Sequence, residues 1–597
     1  MKSLKYSAFF FLFSFLLSFS FVYAQDSKSI PVKVNDTVVF RLFNTEKEDA
    51  SAIAEKASKI LNEKFEAGAS ADSLETETED GGGISIYWGT SLIVTVTKEQ
   101  AYKHNSDPSA LAKLWLKNII SAAAVKPLEM SASKVVVALG DSTSITIGGD
   151  GKVKFKYPQK ALEISFDEEE SEVSIHPLKT GEFDILIIRR NKRGTLKLIV
   201  KERAGKIDKD VELEVTGMPA STEVIKSGVL WRIPDAVTLK PGASVYLKDD
   251  ISIYQSIIEG DTSLLSVPVI LEGPNYITVE GTVKVHIKNT GLKWKAPAEL
   301  FISNRPEVIK EDGILFNKSI SESNHVRMMY SHKNGSDFNR KLAVSLKNKS
   351  PKPVKLLFRN AAAGPDKFEM YAGHKAAHRY MALYGSGSGY ILEVPAFGNI
   401  AIVEKVITPN FLFSGICDIE VLEGKGIDVK VETFTSKNNG NLKEIDEPFD
   451  PFKIHPHGVF PVPEILNENT YKVSSGDLDV TVGKWPWVID AKTGEPNTGN
   501  FGVVYTLSTD LVNDTSYPVT VDVLFTPLNG VSQGTFIIDG ELIESKILKK
   551  DTSQVIKQIK LRANETLNCK IVTIPEASSC YPVQFLFTSS SEKKNRY

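Results

Sequence analysis

Two pairs of histidines have the spacing of metal ligands. His374 and His378 stand four apart in Gly373-His-Lys-Ala-Ala-His378, and His455 and His457 flank Pro456. Neutral imidazole is a common metal ligand, and residues four apart share one face of a helix. The neighbourhood of His374 reads as strand, however, where that spacing sets the rings about 13 Å apart, too far for one ion. A metal site needs three or four ligands, and no acidic or Cys partner sits beside His374 and His378. Both pairs are therefore expected in loops, with no metal and no cofactor bound. The nucleophile motifs fail in the same way. Gly385-Ser-Gly-Ser-Gly389 puts Gly387 where a nucleophile elbow needs Ser, so Ser386 and Ser388 fall out of register. No helix-forming sequence follows it to hold a strained turn, and it reads as a hairpin loop before a strand at 390–394. No phosphate-binding loop, dinucleotide fingerprint, His-Glu-x-x-His or Cys-x-x-Cys motif occurs in the chain.

Other side chains invite a binding reading. Trp485-Pro-Trp487 with Tyr505 and Tyr517 downstream offers an aromatic platform for a sugar, so Trp485, Trp487 and Tyr505 are the candidate ligand-binding residues. The competing reading is core and inter-sheet packing, which large aromatics favour. The acidic runs Asp167-Glu-Glu-Glu170, Asp249-Asp250 and Glu444-Ile-Asp-Glu447 lack the spacing of a calcium loop and read as solvated tips. Paired glycosidase carboxylates converge from distant segments, so sequence does not locate them. Of the three cysteines, Cys417 lies in an apolar strand-like run and reads as a buried thiol. Cys569 and Cys580 either pair across a C-terminal hairpin, with a strand at 571–574 and a turn at 575–579, or stay free.

The elements that must position these residues follow from the rest of the chain. Lys2 and Lys5 precede an apolar run from Ala8 to Val22, and Val22-Tyr-Ala24 supplies a processing site. That is the layout of a secretory signal peptide, with cleavage expected after Ala24. The run falls short of the ~20 residues that span hydrocarbon, and no Cys follows it to carry a lipid anchor. The expected location is secreted, either periplasmic or at the cell surface. Formal net charge is −3 over 597 residues, which gives no general pull toward nucleic acid or anionic lipid. Three Cys in an exported chain of this size do not make a disulfide framework.

Periodicity divides the chain as follows. Behind the signal peptide (1–24), residues 25–126 form an α+β domain, with helical spacing over 50–65 and a capping box at Thr97-Lys-Glu-Gln100. Asp107-Pro108 opens a further helix. Residues 127–210 hold seven short strands at sandwich spacing. A β domain over 211–295 and a β-sandwich over 296–435 follow. In the latter, His332-Lys-Asn-Gly335 reads as the turn of a hairpin between strands at 325–331 and 340–346. A polar linker over 436–451 leads to a C-terminal β-sandwich over 452–588 and a disordered tail over 589–597. The expected fold class is mainly β: tandem immunoglobulin-like β-sandwich modules preceded by a small α+β domain.

One module carries a resemblance. Val137-Ala-Leu-Gly-Asp-Ser142, then strands, then Leu178-Lys-Thr-Gly-Glu-Phe-Asp-Ile-Leu-Ile187 resembles the N-terminal β module of secretin-type pilus and secretion proteins. It covers 131–203 and implies an envelope module that packs against partners. The secretin pore domain is missing, so pore formation is not implied. Residues 30–123 are similar to periplasmic regions found ahead of some bacterial membrane proteins. Taken whole, the chain resembles bacterial exported multidomain β-proteins. The expected function is non-enzymatic recognition or scaffolding, with a protein or polysaccharide of the cell envelope as partner and no nucleic acid. The alternatives are a cell-surface carbohydrate-binding protein, an extracellular hydrolase with distant carboxylates, and metal binding by the histidine pairs.

Overall fold

The computed structural model describes residues 28–34, 37–67, 69–124, 126, 128–189, 192–253, 255–320, 325–435, 442–445 and 455–590. The expected signal peptide (1–24) and most of the expected 436–451 linker lie outside the described residues. So does the tail from 591 on. The chain is mainly β, with tandem β-sandwich modules behind a small α+β domain. It divides into two compact units, one of residues up to Arg203 with Asn275–Ile277, the other of the remainder.

The first unit opens with an antiparallel pair, Ile30–Val34 and Thr37–Leu42, followed by helix α1 (Ala50–Glu66). A three-stranded antiparallel sheet (Leu74–Thr78, Ile84–Trp88, Ser91–Val96) leads to helices α2 (Lys98–Lys103) and α3 (Pro108–Ala123). The helix starts obey the sequence signals: the Thr97 side chain accepts from Gln100 N, and Asp107 accepts from Ala110 N with Pro108 in the first turn. Trp115 on α3 stacks on Phe40 at 4.3 Å and seals the core. Two four-stranded sheets then face each other over Ile145, Ile175, Ile187 and Leu198.

In the second unit one eleven-stranded sheet runs through the regions expected as separate domains over 211–295 and 296–435. Val211–Thr216 pairs with Gly389–Val394, so the sheet crosses the expected boundary without a break. Helix α4 (Thr222–Arg232), capped by Ser221, packs beside it. A four-stranded sheet (Gly313–Ser319, Ile427–Phe434, Arg340–Asn348, Asn399–Ile407) forms a separate layer whose inner residues join the same core. Within the expected linker, Glu444 bridges to Ile314. The C-terminal sandwich has a five-stranded sheet, in which Glu464–Lys472 lies parallel to Val504–Val512, and a four-stranded one ending in Val583–Ser590. Ser589 and Ser590, expected in the tail, belong to that last strand.

The hairpin expected around Asn334 is not one. His325–Asn334 lies in the large sheet and Arg340–Asn348 in the other, so the turn is an arch from sheet to sheet. The same arch recurs at Asn348 and at Asn513. In each, a buried Asn donates through Nδ2 to the carbonyl four residues on, Phe338 O (2.8 Å), Lys352 O (2.7 Å) or Tyr517 O (2.8 Å). Each also donates to a neighbouring segment, at Ile407 O, Val394 O or Arg562 O. Its Oδ1 accepts from the N–H two residues on, so the side chain replaces the backbone pairs that the arch cannot make.

Helix α5 (Glu369–Ser386) is the element the sequence hid. It packs on Val354–Asp366 and Leu412–Glu423 of the large sheet, and also on Thr535–Ile538 and Glu541–Glu544 of the C-terminal sandwich. A helix covered on more than one side carries no single apolar stripe, and Ala372, Gly373, Ala376, Ala377 and Met381 supply small or pliant contacts instead. At Gly373 a Cβ would stand 2.0 Å from Ala577 O, so only glycine allows this approach. Gly387, in the left-handed region at φ 65, ends the helix.

Candidate functional site

Three adjacent strands of the large sheet carry a charged residue where their neighbours are apolar. Register pairs Arg327 with Asp418 and Asp418 with Arg359, forming a row of two guanidiniums about one carboxylate beneath α5. Arg359 Nε donates to Asp418 Oδ2 at 2.7 Å and Arg327 Nε to Asp418 Oδ1 at 3.3 Å. The Tyr380 hydroxyl, from α5, donates to Asp418 Oδ2 at 2.9 Å and accepts from Arg327 Nε at 2.7 Å. Arg327 then reaches into the C-terminal sandwich, donating to Pro463 O (2.8 Å) and to Glu464 Oε1 (3.0 Å). Burial alone would raise the Asp418 carboxyl, but Arg359 and Arg327 outweigh it and bring it down to about 2. Two positive and two negative groups close the account, the arrangement that buried charges require.

Beside this row opens a cavity of about 450 Å³, lined by Trp294, Arg359, Tyr384, Glu464 and Lys293 among others. The Arg359 guanidinium lies 4.1 Å from the Trp294 ring centre, a cation–π contact. Trp294 Nε1 donates to Gly387 O, which ties the wall to the end of α5. Tyr384 donates to Glu464 Oε1 at 3.3 Å. Burial, aided by Glu464, pushes its hydroxyl up to about 12. Aromatic walls, a partly exposed carboxylate and a guanidinium are the kinds of group that small-molecule cavities of this size use.

A second charged cluster sits on the same helix. His374 is buried, its Nδ1 2.8 Å from Glu576 Oε2 and its Nε2 3.1 Å from Glu544 Oε2, while His378 Nε2 stands 4.0 Å from Glu544. The expectation of a loop is corrected: His374 and His378 share a face of α5, with ring centres 6.3 Å apart. Among the described residues no group of three or more His, Cys, Asp or Glu is placed to hold a metal ion. His455 and His457 precede the strand Gly458–Phe460 and part company: His455 Nε2 meets Glu307 at 3.2 Å, while burial, helped by Arg305, drives His457 down to about 3.

One pair has the wiring of a nucleophilic dyad. Ser303 Oγ and His332 Nε2 are 2.9 Å apart, and His332 Nδ1 donates to Pro306 O. Both are buried, however. Their strand neighbours Ile302, Asn304 and Ser331 line a separate cavity of about 250 Å³. Alternation therefore turns Ser303 and His332 away from it. Ser386 and Ser388 bond to each other at 2.7 Å, and Ser388 accepts from Ser221 N.

The expected aromatic platform is taken apart. Trp485 is 73 % exposed, Trp487 is half-buried with Nε1 donating to Gly483 O, and Tyr505 lies in the sandwich core, accepting from Asn500. Strand alternation buries Tyr505, so the three make no planar row. Cys417, Cys569 and Cys580 are all free. Cys569 faces the core from the middle of Thr566–Thr573, where burial pushes its thiol up to about 12. Cys580 is held by its N–H to Val531 O on the returning loop, and of the two alternatives for Cys569 and Cys580 the structure has them free. The charged row and the His374 cluster escaped sequence reading. Their signal was a charge inside an apolar strand run: Arg327 before Met328-Met-Tyr330, Arg359 after Leu356-Leu-Phe358, and Asp418 between Cys417 and Ile419.

No helix among the described residues is long and apolar enough to cross a membrane. Residues 31–125 match the model of a domain of unknown function, DUF8459, which falls on the α+β domain alone. No curated protein matches the chain. Among solved structures, domains 4 and 5 of the S-layer protein SbsC are similar at 15 % identity over 20 % of this chain and 56 % of theirs, with a TM-score of 0.12. The titin I-band fragment I67–I69 is similar at 12 % identity over 54 % of this chain and 95 % of that one, with a TM-score of 0.13. Lac15 from a marine microbial metagenome is similar at 11 % over 77 % and 88 %, with a TM-score of 0.10. The chain spans little more than half of the SbsC fragment, and TM-scores this low carry no argument. No secretin-type likeness is shown for residues 131–203; what the comparisons give is the match of residues 31–125 to DUF8459.

Proposed function

We propose that this chain is an exported, non-enzymatic protein of the cell envelope or cell surface that works by recognition or scaffolding. The observation that carries the reading is the buried row Arg327–Asp418–Arg359. Its bonds run from the large sheet through Tyr380 of α5 to Pro463 and Glu464, so groups able to do chemistry are spent on joining two β modules. The Ser303–His332 pair is likewise buried. Such a body offers its sheet edges and loops to partners. The N-terminal leader pattern supports export. The test is fractionation of cells making the full chain, followed by cross-linking in the envelope fraction. The expected result is a processed chain cross-linked to an envelope protein or polysaccharide. A chain confined to the cytosol overturns the reading.

The cavity at Trp294 favours a second reading, saccharide binding, because an aromatic wall beside Arg359 and Glu464 matches a polyhydroxylated ring. A panel of soluble oligosaccharides titrated against tryptophan fluorescence checks it. Binding that Glu464→Gln weakens supports it, and no binding at millimolar sugar removes it.

A further inference from the structure

A neutral imidazole has one donor and one acceptor nitrogen. Both nitrogens of His374 face carboxylate oxygens, at 2.8 Å from Glu576 and 3.1 Å from Glu544. With both acids ionised, only the imidazolium satisfies both contacts. The other solution leaves the proton on Glu576, which then donates to Nδ1 while Nε2–H serves Glu544. Either way the buried pair His374–Glu576 holds one proton, and removing it leaves a carboxylate without exposure facing a ring that can donate to only one partner.

The contacts lie where α5 meets the C-terminal sandwich. His374 is on α5, Glu544 ends the strand Glu541–Glu544, and Glu576 lies in the loop after Thr566–Thr573. Gly373, one residue before, touches Ala577 backbone, so this is the closest approach of the helix to that loop. Few other charges face the ring. On α5 itself they are His378, 4.0 Å from Glu544, and Lys375, whose Nζ is taken by the Tyr371 hydroxyl. The strand Thr535–Ile538 is uncharged, and the buried Arg359 and Asp418 of the large sheet face Tyr380 instead. Behind the acid stands Tyr581, whose hydroxyl accepts from Glu576 N.

We infer that His374 is a proton-operated tie between α5 and the C-terminal sandwich, closed while the His374–Glu576 pair keeps its proton and loosened when the proton leaves. The electrostatics support the direction. Burial works against the imidazolium, but the Glu576 and Glu544 bonds outweigh it and hold His374 above its usual range. Burial also raises Glu576 against the pull of His374. A histidine raised by folding gives stability that is fully present below its unfolded value, ~6.5, and is lost as pH rises through the folded one. The raised acid acts in the same sense, so the joint is tighter on the acid side and looser on the alkaline side.

Peptide-resolved hydrogen exchange on the full chain tests this at pH 6.0 and 8.5, with rates normalised for intrinsic exchange chemistry. Protection of Glu369–Ser386 and Thr535–Ile538 should fall at the higher pH, about tenfold for each unit by which docking raises the pair. Replacing both members of the pair, His374→Gln with Glu576→Gln, should abolish this pH dependence. Glu544→Gln, at a side chain 58 % exposed and safe for folding, should shrink it while the Glu576 contact remains. An unchanged pH slope in that double variant overturns the inference. So does protection at pH 8.5 that zinc restores and a chelator removes, because His374, His378 and Glu544 would then be serving an ion and not a proton.

Discussion

Helix α5 is tied down twice, and the two ties differ in kind. At its C-terminal half, Tyr380 sits over two arginines and an aspartate that stay charged at any physiological pH, with Asp418 at about 2. Toward its N-terminal end, His374 meets two glutamates that hold its proton above the usual imidazole range, and rising pH can remove it. Both joints are centred on a buried side chain and both end on the C-terminal sandwich, one from Arg327 of the large sheet and the other from His374 of α5. The contrast teaches that burial alone does not decide whether a polar joint is permanent. The side-chain types do: guanidinium with aspartate makes a fixed joint, imidazole with glutamate a conditional one.

The comparison can be broken most forcefully at Asp418. Asp418→Asn leaves two buried guanidiniums short of a counter-charge and should cost about 3–5 kcal/mol, read as a lower urea midpoint for the second unit. The wild-type contribution should hold above about pH 4 and vanish as pH falls toward 2, because the folded value of Asp418 lies below its unfolded ~3.9. The acid-side loss should therefore belong to the arginine joint and the alkaline-side loss to the histidine joint. Next comes the helix they share. Gly373→Ala puts a methyl 2.0 Å from Ala577 O, so α5 or that loop must move, at about 1–3 kcal/mol. It should flatten the pH dependence of exchange at His374 while leaving the Asp418 acid transition in place. Asn513→Ala sharpens the contrast from outside both joints. It strips partners from Tyr517 O and Arg562 O within the C-terminal sandwich, and should cost about 1–3 kcal/mol at every pH. Smallest is Lys59→Ala on α1, whose pair with Glu63 is exposed at 3.9 Å. Thermal melting should show no measurable change.

Much of the architecture was legible in the sequence, because period-two alternation and helix caps are local signals. Thr97 and Asp107 start α2 and α3 where their spacing says they should. What failed was long-range or doubly buried. α5 lacks a one-sided stripe because it is covered on more than one side, so its His pair read as strand. Asn334-Gly335 looks like a hairpin turn locally, but its strands pair with Leu412–Glu423 and Ile427–Phe434 instead of with each other. The aromatic platform failed at Tyr505, where the parity of one strand turns the ring inward. The charged row needed three segments spread over 91 positions, from Arg327 to Asp418, to be seen side by side.

The three arch asparagines carry a practical consequence. Asn334-Gly-Ser336, Asn348-Lys-Ser350 and Asn513-Asp-Thr515 each match the acceptor tripeptide for N-linked glycans. In the folded chain each amide is walled in and its Nδ2 hydrogens already serve two carbonyls. Oligosaccharide attached there during synthesis in a yeast or mammalian secretory host would occupy the space the arches need, so recombinant material from such a host should misfold unless the Ser or Thr of each tripeptide is replaced.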